Sequence, residues 1–229
     1  MKIEKIDHIF FDLDHTLWDF DRNSALAFEL MFDKFNIQIS IDQFLSVYQP
    51  INLRYWKLYR EEQVTKTELR RGRLIEAFAV FGKRLPLEII DALSDDYINF
   101  LPLNNYLING AIELLEYLMP KYQMHIITNG FKEVQHTKLS NAKINHYFKT
   151  VTNSEEVGVK KPNPIIFEHA LKVSGADIDK SLMIGDNYEA DIIGAEALGI
   201  RAICFNYHQE ELPGEAIQVS ALNQIKSYI

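Results

Sequence analysis

The sequence predicts an α/β protein with a doubly wound, mostly parallel sheet and an inserted α-helical cap domain. Short apolar runs typical of buried parallel strands alternate with stretches whose apolar residues recur at helical spacing. The alternation is interrupted once, by about a hundred residues without a convincing strand, which is far longer than one crossover. With 229 residues, 47% of them hydrophobic, the chain is large enough for a core and an insert.

Five apolar runs are predicted as strands, and four helical patterns lie between them. The strands cover residues 6–11, 124–127, 150–152, 181–184 and 201–205, and the helices cover residues 111–119, 131–143, 164–173 and 189–198. Pro164 suits a first helical turn, and Gly199 is a typical stop signal after the last helix. Because strand–helix–strand crossovers are right-handed, this order predicts a Rossmann-like sheet with helices on both faces.

The long interval is predicted to be a helical cap. We place the cap at residues 17–100 and the α/β core at residues 1–16 and 101–229. Helical spacing of apolar residues recurs throughout the interval. Two Ser/Thr-x-x-Glu/Gln patterns predict capping boxes at helix starts, namely Ser40 with Gln43 and Thr65 with Glu68.

Composition excludes several classes of function. The 24 basic and 32 acidic residues give a net charge of −8, which argues against nucleic acid polymers or membranes as partners. Cys204 is the single cysteine, so neither a disulfide framework nor a multi-cysteine zinc site is available. The first residues carry charges rather than a long apolar stretch. We expect a cytoplasmic protein, either a monomer or a homodimer.

Polar side chains follow three of the predicted strands. Asp12 and Asp14 follow the first, Thr128 and Asn129 the second, and Asp186 the fourth. Each alone is typical of a turn or helix cap, but ligands of parallel sheets bind at the carboxyl ends of strands. Carboxylates gathered there would repel one another unless a cation offset their charge. Their oxygen ligands favour Mg²⁺.

Four segments in order resemble the motifs of the haloacid dehalogenase superfamily, in its phosphatase branch. They are Asp12-Leu13-Asp14-His15-Thr16-Leu17, Thr128-Asn129-Gly130, Lys161-Pro162, and Gly185-Asp186 with Asp191. The helical cap between the first two matches the cap of that superfamily's first subclass (C1). Residues 129–131 and 154–163 further resemble the bacterial pyrimidine 5′-nucleotidases.

The resemblance implies a reaction at Asp12. This residue would attack a phosphate monoester and form an aspartyl-phosphate. Asp12, the backbone carbonyl of Asp14, and Asp186 would bind Mg²⁺. The Asp14 side chain would protonate the leaving oxygen and then accept a proton from the attacking water.

The resemblance also implies a phosphate-binding set. Thr128, the backbone N–H of Asn129, and Lys161 would hold the phosphoryl oxygens. Asp191 would orient Lys161 or a metal-bound water. Spacing alone does not choose between Lys160 and Lys161, but the family places its lysine directly before the proline.

The expected substrate is a small phosphate monoester, first of all a pyrimidine or deoxypyrimidine nucleoside monophosphate. Alternatives are a phosphoglycolate or sugar-phosphate phosphatase, a phosphomutase, a haloacid dehalogenase or a non-enzymatic regulator. Asp14 argues against a dehalogenase, which needs no general acid. His15 departs from a glycine common in relatives and receives no role. Cap residues considered for specificity, but not assigned to it, are Trp18, Phe20, Tyr55, Trp56, Tyr59, Arg70, Arg71 and Arg73.

Overall fold

The chain divides into two compact units. The computed structural model describes residues 2–209, 211–214 and 216–229. One unit contains the residues up to Phe20 and from Asn105 onward, and the other is Asp21–Asn104. Each boundary thus lies four residues later than the 17 and 100 drawn from the sequence. At the first boundary the reason is local: the backbone N–H of Trp18 donates to the carbonyl of Leu13, which keeps this loop in the first unit.

The first unit contains a six-stranded sheet in which every pairing is parallel. The order β3-β2-β1-β4-β5-β6 is that of a doubly wound Rossmann-like sheet, so the predicted fold class is confirmed. The strands are β1 His8–Phe11, β2 Gln123–Thr128, β3 Phe148–Asn153, β4 Ser181–Gly185, β5 Arg201–Phe205 and β6 Ile217–Val219. Strand β6 was not predicted, because three residues are too few to show an alternation.

Four long helices account for most of the second unit, and shorter ones connect the strands. The helices are α1 Phe20–Phe35, α2 Ile41–Arg60, α3 Lys66–Val80, α4 Leu87–Phe100, α5 Ala111–Leu118, α6 Lys132–Asn141, α7 Ser154–Val157, α8 Pro164–Ser174 and α9 Gly194–Glu196. The helix predicted over residues 189–198 is instead a π-helical turn, Tyr188–Ile193, followed by the short α9. Among the described residues, every helix is too short or too polar to cross a membrane.

An aromatic core holds the helical unit together. The rings of Phe28 and Tyr97 lie 4.7 Å apart, and those of Phe28 and Tyr48 lie 4.5 Å apart. The capping box of Thr65 with Glu68 is present. The box predicted at Ser40 is wrong, because Ser40 precedes α2 without a side-chain hydrogen bond. A neutral amide at the third helical position gains less from the helix dipole than a carboxylate does.

A pair of histidines is buried inside the sheet, in β1 and β2. Nδ1 of His8 lies 3.1 Å from Nε2 of His125, and Nδ1 of His125 lies 2.8 Å from the hydroxyl of Thr150. Burial lowers the pKa of His125 to about 4, and the neighbouring His8 and Lys149 add to the shift. The folded protein therefore disfavours protonation of this ring.

This pair should make the fold sensitive to acid. An unfolded histidine titrates near pH 6.5, so the unfolded state binds the proton first as the pH falls. His125 alone should lower the free energy of unfolding by about 3 kcal/mol between pH 7 and pH 4. Above pH 7 both states hold the ring neutral, so the stability that depends on the neutral ring is fully present there. Urea denaturation at pH 7 and pH 4.5 tests this. His125→Gln should lose less stability over that interval than wild type, and an equal loss would contradict the assignment.

Candidate active site

The carboxyl ends of β1, β2 and β4 are neighbours, and each carries predicted site residues. Asp12 directly follows β1, and its backbone N–H donates to the carbonyl of Ile184 at 2.9 Å. Thr128 is the last residue of β2, and Asp186 directly follows β4. Strand order therefore brings together residues that are far apart in the sequence.

Three carboxylates and one ammonium group form a cluster at this edge. Oxygen atoms of Asp12, Asp186 and Asp191 all lie within 4.8 Å of one another. Nζ of Lys161 is 2.6 Å from a carboxylate oxygen of Asp12 and 2.6 Å from one of Asp191. The same ammonium donates to the carbonyl of Ile127 at 2.7 Å. Lys161 is only 1% exposed, so it is fixed by these partners.

The protonation equilibria of the cluster reflect its excess of negative charge. Burial raises the pKa of Asp12 to about 7; Lys161 opposes the shift and Asp191 adds to it. Burial, together with Asp12 and Asp191, raises the pKa of Asp186 well above its usual value. Burial would lower the pKa of Lys161, but the carboxylates of Asp12 and Asp191 raise it above its usual value. One lysine thus incompletely offsets three acidic groups.

The donor atoms fit a hard cation. Asp12, Asp186 and Asp191 offer carboxylate oxygens only. Such ligands suit Mg²⁺, whereas zinc sites usually include imidazole or thiolate. The cluster can hold a metal ion, and a divalent one would offset the charge that Lys161 leaves uncompensated.

Local sequence around β4 makes the close approach of these groups possible. A side chain at Gly185 would collide with the carboxylate of Asp191, so glycine is required there. The backbone N–H of Asn187 donates to Asp191 at 3.0 Å, and the Thr16 hydroxyl donates to Asp186 at 3.0 Å. Asp191 itself lies on the π-helical turn, a form often found at functional sites.

The loops after β2 and before α8 are joined through Asn129. Its side-chain amide donates to the carbonyl of Lys161 at 3.0 Å, and its side-chain oxygen accepts from the Lys161 N–H at 2.8 Å. The Thr128 hydroxyl accepts from the Gly130 N–H at 3.0 Å. Asn129 therefore fixes the backbone of Lys161, a contact that the sequence did not reveal.

Asp14 lies outside the carboxylate cluster and has two partners on α6. Lys138 Nζ is 2.6 Å from one oxygen of its carboxylate, and Gln135 Nε2 donates to the other at 3.1 Å. Neither partner was predicted from the sequence. The available signal was weak: two long polar side chains three residues apart, on the face of α6 that also carries Val134 and Leu139.

His15 has a backbone conformation that is unusual for a residue with a side chain. Its φ is +60°, in the left-handed region that glycine adopts without cost and histidine tolerates better than most residues. The ring lies about 5 Å from three others, those of Phe20, Tyr207 and His208.

Most of the cap residues considered for specificity have partners within the helical unit. Arg73 is buried, donates to Asn52 at 2.8 Å and lies over the ring of Tyr97. These contacts favour structural roles. The remaining pairs are Tyr55 with Glu76, Arg70 with Asp95, Arg71 with Asp91, and Trp56 against Tyr59.

The site combines a Rossmann-like parallel sheet, aspartates directly after β1 and β4, and a buried lysine paired with Asp12 and Asp191. The class of protein that has this sheet and this site is the α/β hydrolases, as the family match shows. The chain belongs to the haloacid dehalogenase-like hydrolase family, which it matches over residues 9–205. The resemblance seen in the sequence is thereby confirmed.

Two relatives and a solved structure are similar to the chain over most of their length. It is 34% identical to pyrimidine 5′-nucleotidase YjjG of Escherichia coli, over 98% of both chains. It is 31% identical to pyrimidine 5′-nucleotidase PynA of Streptococcus pneumoniae, over 89% of this chain and 85% of that one. The crystal structure of HAD-hydrolase YfnB of Bacillus subtilis, bound to magnesium, superposes with a TM-score of 0.88 at 26% identity, covering 98% of each chain.

Proposed function

We propose that this protein is a Mg²⁺-dependent phosphatase of small phosphate monoesters, specifically a 5′-nucleotidase for pyrimidine and deoxypyrimidine nucleoside monophosphates. The observation that supports it best is the cluster of Asp12, Asp186 and Asp191 around Lys161, with ligand atoms within 4.8 Å of one another. Similarity to two pyrimidine 5′-nucleotidases supports the substrate class. The single cysteine, Cys204, favours a reducing compartment such as the cytoplasm.

Asp12 is the proposed nucleophile. Its carboxylate oxygen attacks phosphorus, the bond from phosphorus to the leaving oxygen breaks, and an aspartyl-phosphate forms. Asp14 gives a proton to the leaving oxygen, then accepts one from the water that hydrolyses the aspartyl-phosphate. A bound Mg²⁺, held by Asp12, Asp186 and the backbone carbonyl of Asp14, would neutralise charge on the carboxylates and the phosphoryl group.

The remaining site residues are proposed to hold the phosphoryl oxygens. Lys161 supplies an ammonium group that Asp191, at 2.6 Å, keeps in position. The Thr128 hydroxyl and the Asn129 N–H supply neutral donors from the end of β2. The Thr128 hydroxyl already accepts a bond from Gly130, which leaves its own proton available for donation.

A substrate panel tests the proposal. Phosphate release from nucleoside monophosphates, sugar phosphates and phosphoglycolate is measured with Mg²⁺ and with EDTA. We expect the highest kcat/KM for pyrimidine and deoxypyrimidine monophosphates and loss of release in EDTA, because the carboxylates then lack the cation that offsets their charge. Release unaffected by EDTA would refute the metal mechanism. A preference for phosphoglycolate or a sugar phosphate would refute the nucleotidase assignment and leave the phosphatase class.

A further inference from the structure

Lys138 is a buried cation whose partners lie beside the proposed site. It is 1% exposed, on α6, and its ammonium group lies 2.6 Å from the Asp14 carboxylate. The same group lies 4.3 Å from the centre of the Trp18 ring and 5.5 Å from that of Phe20. A desolvated ammonium group is costly unless it is paired. The Asp14 oxygen and the two aromatic rings therefore offset the cost of burying this ammonium group.

Gln135 gives the same carboxylate a second, directional contact. Its amide donates to the other Asp14 oxygen at 3.1 Å, and the residue is 2% exposed. Gly130 makes this possible, because a Cβ at that position would overlap the Gln135 amide. The glycine of the Thr128-Asn129-Gly130 segment thus leaves the space through which Gln135 reaches Asp14.

The two contacts determine where the carboxyl group of Asp14 points. Each oxygen of the Asp14 carboxylate has its own donor, Gln135 for one and Lys138 for the other. The two donors are three residues apart on one face of α6. The loop that carries Asp14 is held as well, since the His15 N–H donates to the Trp18 carbonyl at 2.9 Å. A helix-borne pair of donors with little freedom can hold a side chain within the narrow range that proton transfer requires.

We propose that Lys138 and Gln135 are positioning residues that hold the Asp14 carboxyl group in the orientation needed for proton transfer to the leaving oxygen. The inference rests on the proposed function, since it assigns a supporting role within that reaction. Both residues are assigned a role on Asp14 and none on the phosphoryl group itself. Their effect should therefore depend on how strongly the leaving group needs a proton.

The experiment compares two substrates with different leaving groups. The leaving group of a nucleoside monophosphate is an alkoxide, which needs a proton as it departs. The leaving group of p-nitrophenyl phosphate is p-nitrophenolate, which is stable without one. The measured quantity is kcat/KM, which reports the step that forms the aspartyl-phosphate. Lys138→Met should lower kcat/KM for the preferred nucleotide by about tenfold or more, and for p-nitrophenyl phosphate by less than about threefold. Methionine suits the apolar surroundings of the Trp18 and Phe20 rings.

Lys132→Met is the matched control. Lys132 begins the same helix, is exposed and pairs with Glu156, so its loss should leave both values unchanged. Gln135→Met should lower kcat/KM for the nucleotide more than for p-nitrophenyl phosphate, as Lys138→Met does. If Lys138→Met does not fold, the result for Gln135→Met alone tests the inference. Equal losses on both substrates, or no loss on the nucleotide, would overturn the inference. Failure of the wild-type protein to hydrolyse either substrate would instead overturn the proposed function.

Discussion

Asp12→Asn is expected to abolish phosphate release, lowering kcat by on the order of 10⁴-fold or more. The amide oxygen is a poor nucleophile, so the aspartyl-phosphate should not form. Burial raises the pKa of Asp12 to about 7, which shows that its charged form is costly at this position. A neutral amide of the same shape should therefore leave the free energy of unfolding unchanged or raise it.

The measurement combines phosphate release, mass spectrometry of acid-quenched protein and thermal unfolding. The quenched wild-type protein should carry a phosphoryl adduct that Asp12→Asn lacks. Asp7→Asn is the control. Asp7 directly precedes β1, at the end of the strand away from Asp12, and its side chain is exposed and paired with Lys180. Turnover retained by Asp12→Asn would mean that another residue attacks.

The fold could be predicted because short stretches of the sequence, by their pattern of apolar residues, indicate where strands and helices lie. Strands β1, β4 and β5 are short apolar runs, and their parallel crossovers restrict the topology to few choices. Asp12 and Asp186 directly follow two of those runs, so their meeting could be predicted from the sequence. The family match and the parallel sheet confirm that interpretation of the fold.

The contacts around Asp14 were not predictable by the same argument. Lys138 lies 124 residues from Asp14 in the sequence, on a helix whose face only the folded structure reveals. Likewise, the two bonds between Asn129 and Lys161 depend on how the loop after β2 meets the loop before α8. The strand order predicts where residues at strand ends lie. The position of a side chain on a helix also depends on how the helix packs against the sheet, which a single sequence does not show.

Lys161→Met is expected to have the second large effect, on both stability and activity. It leaves the buried carboxylates of Asp12 and Asp191 without the ammonium group that lies 2.6 Å from each. Removing one partner of a buried ion pair typically costs about 3–5 kcal/mol. We expect a loss of that size in the free energy of unfolding without metal, together with a kcat/KM lowered by on the order of 10³-fold.

Magnesium separates the electrostatic role of Lys161 from a packing role. If the lysine acts by offsetting charge, the variant has a more negative cluster and binds Mg²⁺ more tightly, so Mg²⁺ should raise its melting temperature more than that of wild type. Lys160→Met, at the neighbouring position, serves as control and should respond to Mg²⁺ as wild type does. A Mg²⁺ effect no larger in Lys161→Met than in wild type would show that the lost stability comes from packing. The lysine would then have no part in balancing the charge of the carboxylates.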